Sequence, residues 1–174
     1  PNSSAYAFTD YRRICYIASK QSGKDDLIME LFTDAAKQYK GNESVIFINK
    51  EIADRLSKKS AADRIEAVNL LTSTIEEFKD SKYVTHCSNL LSKLTFPSIS
   101  ISGDKVTYPN ENIPLYIEYA NTKTAIIKVV KVSDKASEYE TFNTNSANVN
   151  KYYESKSVTE GTINLPDAHD YSTH

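Results

Sequence analysis

The sequence predicts an α+β protein in two segments, antiparallel helical hairpins followed by a β-sandwich. In residues 1–95 the apolar side chains recur at intervals of three and four, as they do on one face of a helix. From Pro97 onward they alternate, which is the period of a half-buried strand. Because the period changes once, near Phe96 and Pro97, we expect a helical-hairpin domain over residues 1–95 and a β domain over residues 97–174.

Five helices are expected in the first domain, over residues 5–20, 24–40, 43–58, 60–78 and 82–94. Each has one apolar face, and the connections between them are short, so consecutive helices should fold back antiparallel. The residues expected to face inward are Ala7, Tyr11, Ile14, Cys15 and Ala18; Ile28, Leu31, Phe32, Ala35, Ala36 and Tyr39; Val45, Ile48, Ile52 and Leu56; Ile65, Val68, Leu71 and Ile75; and Val84, Cys87, Leu90, Leu91 and Leu94.

The fourth helix carries a start signal, because Ser60 precedes it and Asp63 follows three residues later in a near capping box. The starts of the second and fourth helices, near Lys24 and Ser60, are separated by roughly the 34-residue period of tetratricopeptide repeats. The small and aromatic positions of that repeat do not align well here. A helical-hairpin stack is therefore expected, and a true repeat array is the weaker alternative.

The β segment begins with Ile99 and Ile101 on one face of a short strand, which a turn at Gly103 follows. Further strands are expected over residues 106–108, 113–119, 123–132, 152–158 and 162–165, in a β-meander with a long polar loop over residues 133–150. An immunoglobulin-like sandwich commonly has about seven strands. We therefore expect an incomplete sandwich that continues beyond His174.

Composition excludes several classes of function. The net charge is −2, and the basic residues form no stripe, so no nucleic-acid partner is expected. No apolar run approaches the roughly 20 residues of a membrane helix, so the chain should not span a membrane. Cys15 and Cys87 both fall on apolar helix faces and should be buried free thiols, although a bridge between them stays possible.

Short motifs give no catalytic, cofactor-binding or metal site. Residues 22–25, Ser-Gly-Lys-Asp, lack the first glycine and the hydroxyl residue of a phosphate-binding loop. Four possible metal ligands, Asp167, His169, Asp170 and His174, lie close together but in a segment typical of a solvated loop. His86 is interpreted as a surface histidine. The twelve tyrosines fit either edges of the core or a contact surface, and we favour the core.

Residues 105–132, KVTYPNENIPLYIEYANTKTAIIKVVKV, resemble an early macroglobulin-like domain of the bacterial alpha-2-macroglobulin family, as found in the Bacteroides group. Residues 162–171, TINLPDAHDY, are similar to a later stretch of the same domain. The resemblance implies a periplasmic or envelope-associated protease trap whose partners are trapped proteases and other domains of a longer chain. Many members use a thioester, a Cys with Gln three residues later, but Ala18 and Leu90 stand at those positions here.

We therefore expect a non-catalytic scaffold fragment of such a protein, with no cofactor. The alternative is a helical repeat adaptor whose β-sandwich module recognises a protein or a glycan, because stacked hairpins form concave surfaces. In either case Pro97 should end the last helix and place Phe96 against the start of the sandwich, where its ring would be buried.

Overall fold

The computed structural model describes residues 4–21, 23–103, 112, 114–130, 154 and 156–174. Within these residues the protein is an α+β fold of five α-helices, one 3-10 helix and two small antiparallel sheets. The chain divides into two compact units, which are Pro1–Asn121 with Ala168–His174, and Thr122–Asp167. The α+β class is thus confirmed, whereas the division into domains at Phe96 stays a prediction.

The helices form where the apolar periodicity predicts them. They are α1 (Ser4–Lys20), α2 (Asp25–Gln38), α3 (Val45–Leu56), α4 (Ala61–Glu77) and α5 (Thr85–Thr95), with the 3-10 helix Lys82–Val84 before α5. Each helix packs on the next one along the chain, and α3 also packs on α1 and α5. Alternate helices α1, α3 and α5 therefore make up one row of the hairpin stack, and α2 and α4 make up the other.

All five helices contribute to one core, and the predicted inward faces are largely confirmed. Ile65 is an exception, because it is exposed although the sequence predicted that it would be buried. The inward face of α4 instead carries Ala67, Val68, Leu71 and Thr74. Side chains two positions apart in a helix point about 200° apart around its axis. Because Ala67 faces the core, Ile65 points away from it. The largest of the fully buried side chains are Phe32, Ile28, Ile46, Ile48, Leu71, Thr74 and Cys87.

Ser60 caps α4 as predicted. Its hydroxyl accepts a 3.2 Å hydrogen bond from the Asp63 amide, and the Asp63 carboxylate accepts a 3.1 Å bond from the Ser60 amide. This reciprocal pair satisfies two backbone donors that a helix N-terminus would otherwise leave unpaired. Gly41, in the turn after α2, has a φ of 79°, a conformation that side chains with a Cβ rarely adopt.

In the first unit, strand β1 (Ser98–Gly103) pairs antiparallel with β2 (Leu115–Ala120). Ile101 lies opposite Ile117, and Ile99 lies opposite Tyr119, so the alternating apolar positions share one face of the sheet as predicted. The other edge of β2 is also used, because the backbones of Tyr119 and His174 exchange two hydrogen bonds of 2.9 and 3.0 Å.

The junction between α5 and β1 differs from the expectation. Phe96 is 68% exposed, so the predicted burial of its ring is wrong. The side-chain amide of Asn121, at the end of β2, donates hydrogen bonds of 3.0 Å to the carbonyl oxygens of Leu94 and Phe96. A polar clamp therefore joins the end of the helix to the sheet in place of an apolar contact.

The second unit contains the antiparallel pair β3 (Thr124–Val130) and β4 (Ser157–Asn164), with an irregularity between Val129 and Val130. Strand β4 continues through Gly161, where two separate strands were expected. A meander would place β2 beside β3, but β2 pairs with β1 and β3 pairs with β4. The predicted strand over residues 106–108 and the predicted loop over residues 133–150 lie outside the described residues.

Candidate binding site

A cavity of about 650 Å³ opens on the row formed by α1, α3 and α5, within the first unit. We call it the ring pocket, because four aromatic rings and one imidazole contribute to its wall. This volume is typical of cavities that bind small molecules or protein side chains. Its lining residues are Ser4, Ala5, Phe8, Tyr11, Glu43, Ser44, Phe47, Lys50, Glu51, Tyr83 and His86.

Phe47 of α3 is the centre of the ring pocket. Its ring centroid lies 5.9 Å from that of Phe8 and 5.8 Å from that of Tyr11, both on α1. On the other side it lies 5.3 Å from Tyr83 and 5.2 Å from His86. These separations are those of favourable edge-to-face and tilted aromatic contacts. One ring on α3 thus joins residues from the first and last helices of the stack.

Hydrogen bonds hold the start of α1 on the loop between α2 and α3. The Asn42 amide donates to the Ser4 hydroxyl at 3.3 Å, and the Ser44 hydroxyl donates to the Ser4 carbonyl at the same distance. The Ser44 backbone amide in turn donates to the Asn42 side chain at 2.9 Å. This network fixes one end of the pocket wall and places Phe8 against Phe47.

An internal ion pair supplies the charge in the wall. The Lys50 ammonium lies 2.8 Å from the Glu51 carboxylate, and both side chains are half-buried. Burial acts to lower the pKa of Lys50, but the hydrogen bond and charge of Glu51, with the charge of Asp54, outweigh that effect and raise it. Lys50 therefore stays protonated, and its charge is largely neutralised by its neighbour.

Tyr11 connects the ring pocket to a thiol. Burial, and then a hydrogen bond with Cys15, raise the pKa of the Tyr11 hydroxyl, so it stays protonated. Burial also raises the pKa of Cys15, and the bond with Tyr11 acts in the opposite direction. Burial raises the pKa of Cys87 to about 11, and its thiol lies 3.5 Å from the Ile46 carbonyl. Both cysteines are free thiols. Because burial raises the pKa of each, the thiolate is disfavoured and neither is prepared as a nucleophile.

Three of the four possible metal ligands form ion-pair contacts, one with a lysine and two with each other. Asp167 pairs with Lys123 at 3.0 Å, and Asp170 lies 2.9 Å from the His174 ring. No group of three metal-binding side chains occurs among the residues that the structure describes.

Gly23, in the segment compared with a phosphate-binding loop, lies in the turn between α1 and α2. Its φ of 84° is a conformation that glycine adopts readily.

Sequence reasoning missed the ring pocket, because its aromatic residues other than Tyr11 lie beside the predicted apolar faces and not on them. Phe8 follows Ala7, and Phe47 precedes Ile48, and both neighbours are fully buried. His86 is exposed on α5, as interpreted from the sequence, and its ring also packs on Phe47. The sequence did contain a pattern that could have indicated the pocket. On each of three alternate helical segments, an aromatic residue stands next to the inward-facing positions.

No protein-family model matches the chain, and no curated protein or solved structure shows a significant similarity to it. The alpha-2-macroglobulin resemblance therefore stays a prediction. Fold and site together define an α+β protein with a helical-hairpin stack and an aromatic cavity on one of its rows. None of the helices in the described residues combines the length and the apolarity needed to cross a membrane.

Proposed function

We propose that the chain is a non-catalytic binding module that recognises a segment of a partner protein through the ring pocket. The observation that carries this proposal is a cavity of about 650 Å³ with five rings in its wall. Aromatic residues are enriched at the energetic centres of protein interfaces, where a side chain of one partner fills a pocket of the other. The α1, α3 and α5 row of a hairpin stack is suited to such a role.

The chemistry of the wall supports binding over turnover. The Lys50 and Glu51 side chains bond each other, and the Ser44 hydroxyl donates to a backbone carbonyl. Tyr11 keeps its proton, because burial and the contact with Cys15 raise its pKa. General acid–base chemistry needs a group whose pKa lies near the working pH and that can reach a substrate. The wall instead offers apolar area, and its Lys50, Glu51 and Ser44 side chains already have partners.

The test is selection of short peptides from a displayed random library against the full chain, followed by calorimetric titration of the recovered sequences. Phe8→Ala removes a pocket ring that is 42% exposed, so the fold should survive. Its matched control is Tyr16→Ala, an exposed aromatic residue on the same helix that does not line the pocket.

We expect the recovered peptides to bind Phe8→Ala about tenfold more weakly, as for an interface hot spot, and to bind Tyr16→Ala like the wild type. Recovery of no specific peptide, or equal binding to both variants, would contradict the proposal.

The second candidate is the scaffold function implied by the sequence resemblance, in a macroglobulin-like sandwich that also includes the second unit. The Asn121 clamp favours it, because two 3.0 Å hydrogen bonds hold the end of α5 in a fixed relation to β2. On this proposal the partners are further domains of a longer envelope chain and the proteases that it traps. A reading frame that continues past His174 into successive β domains would support it, and a stop codon shortly after His174 would refute it.

A further inference from the structure

We propose, on the basis of the binding function above, that the ring pocket takes a basic side chain, lysine or arginine, from the partner segment. The alkyl stem of that side chain would lie along the aromatic wall, and its charged head group would pair with the carboxylate of Glu43. The charge balance of the wall and its apolar rings together favour such a side chain.

The charges in the wall of the pocket do not cancel. The lining contains two carboxylates, Glu43 and Glu51, and one ammonium, Lys50, which gives a net charge of −1 with His86 neutral. Lys50 is bonded to Glu51 at 2.8 Å. Glu43 is exposed, and its side chain takes part in no ion pair or hydrogen bond with the described residues. One carboxylate is therefore left over, and it attracts a positive group.

The unbalanced carboxylate stands close to the central ring of the pocket. Glu43, Phe47 and Glu51 follow one another at intervals of four residues. The helical path begins before α3, because Ser44 already has helical dihedral angles, with a φ of −64° and a ψ of −19°. Side chains four residues apart lie on the same face of a helix, about 6 Å apart along its axis. Phe47 thus has a carboxylate one turn away on either side, and only the one at Glu51 has a lysine partner.

Lysine and arginine combine the two properties that this wall offers. Each has a long alkyl stem that packs on apolar surface while its head group stays near water. The rings of Phe8, Phe47 and Tyr83 supply the apolar surface, and the exposed Glu43 lets a head group keep part of its hydration. The ring of Tyr83 already has the Lys82 ammonium 5.0 Å from its centroid, so the incoming charge should pair with Glu43 instead. An acidic side chain would be repelled by the same carboxylate.

The wall already stabilises one cation of its own. Burial acts to lower the pKa of Lys50, but the hydrogen bond and charge of Glu51, with the charge of Asp54, raise it overall. The negative charge along α3 therefore outweighs the loss of hydration for a half-buried ammonium. A second cation can use the carboxylate that Lys50 does not.

The test compares side chains that differ in charge at similar size. Nα-acetyl-lysine methylamide and Nα-acetyl-arginine methylamide are cationic, Nα,Nε-diacetyl-lysine methylamide has an amide in place of the ammonium, and Nα-acetyl-norleucine methylamide is apolar. Each is titrated into the isotope-labelled full chain at low salt, with amide chemical shifts as the readout. Glu43→Gln removes the charge at an exposed position, so the fold should be kept. Glu30→Gln is the matched control, an exposed carboxylate on α2 that does not line the pocket.

We expect both cationic probes to bind about fivefold more tightly than the two neutral ones, as for a favourable, partly exposed ion pair. Glu43→Gln should abolish this preference and Glu30→Gln should preserve it, and added salt should weaken only the cations. Equal or tighter binding of the norleucine probe would overturn the proposal in favour of an apolar pocket. A preference for cations that persists in Glu43→Gln would also overturn it, because another group would then recognise the charge.

The two proposals fail in different ways. If library peptides without lysine or arginine bind and Phe8→Ala weakens them, the binding module stands and the basic specificity is wrong. If neither library peptides nor any of the four probes bind the wild type, both are wrong.

Discussion

The side-chain amide of Asn49 donates a 2.9 Å hydrogen bond to the hydroxyl of Thr74 inside the helical core. The bond joins α3 to α4 at a point where both residues are buried. A donor left without a partner in such a place costs more than the bond itself contributes, because it has lost its water as well.

Thr74→Val should therefore lower the free energy of unfolding by about 1–3 kcal/mol, although it preserves the shape of the side chain. Thr72→Val is the matched control. The hydroxyls of Thr74 and Thr72 each donate to the carbonyl four residues earlier in α4, but Thr72 is exposed. It should change stability by less than about 0.5 kcal/mol. Urea unfolding of the three proteins decides the matter, and equal losses for both variants would show that the Asn49 contact is unimportant.

The Asn121 clamp should tolerate loss of the neighbouring ring but not loss of its own donors. Asn121→Asp keeps the size of the side chain and places a carboxylate beside the carbonyl oxygens of Leu94 and Phe96, so we expect a loss of about 1 kcal/mol. Phe96→Ala removes an exposed ring and should cost less than about 0.5 kcal/mol.

Limited proteolysis between residues 94 and 98 provides the local measurement for the clamp. Faster cleavage there is expected in Asn121→Asp alone. Faster cleavage in Phe96→Ala, at an unchanged rate in Asn121→Asp, would mean that the ring and not the amide holds the junction.

The Ser60 and Asp63 capping box predicts a specific pH dependence. Hydrogen bonds from the Ser60 hydroxyl and backbone hold the pKa of Asp63 below its ordinary value of 3.8. Because the folded pKa is depressed, the contribution of this carboxylate to stability is fully present above pH 3.8 and is lost as the pH falls through the folded pKa. The difference in free energy of unfolding between wild type and Asp63→Asn should therefore shrink below that pH.

A double-mutant comparison is the control for the capping box. In a Ser60→Ala background the hydrogen bonds from the hydroxyl are absent, so Asp63→Asn should have a smaller effect with less pH dependence. If Asp63→Asn changed the free energy of unfolding by as much in that background, the pH dependence would arise from another group.

The two thiols should differ in reactivity. Cys87 is fully buried, and its pKa of about 11 leaves little thiolate near neutral pH. We expect a thiol reagent to label Cys15 slowly in the native protein and Cys87 only after unfolding, with mass spectrometry of peptides as the readout. Fast native labelling of Cys87 would contradict its burial, and a missing thiol in denatured, unreduced protein would indicate a bridge.

The helices could be predicted from the sequence because each depends on neighbours three or four residues away. The Ser60 cap is equally local, and so is the alternation that places Ile99 and Ile101 on one face of β1. Strand partners are not local. The pairing of Tyr119 with His174 joins residues far apart in sequence, and alternation alone cannot show which edges meet.

The ring pocket could not be predicted for a related reason. Phe8, Phe47 and Tyr83 belong to three separate helical segments. In the local sequence pattern, each lies only at the edge of an apolar helix face. They come together only because α3 packs on both α1 and α5. The exposed Phe96 shows the reverse error. A local rule correctly ended α5 beside Phe96, but the side-chain amide of Asn121, the residue after β2, holds this junction in place of the ring.

The order of the two units along the chain has an entropic consequence. The first unit is interrupted by the second, so Ala168–His174 can join β2 only after the intervening residues have closed a loop. When the second unit folds, the Leu165 amide bonds the Lys123 carbonyl at 2.8 Å and Lys123 pairs with Asp167 at 3.0 Å, which brings the two ends of that loop together. The loop that remains to be closed is then shorter, and the entropic cost of closure falls with its effective length. Formation of β3 and β4 therefore favours attachment of the final residues to β2 through chain entropy.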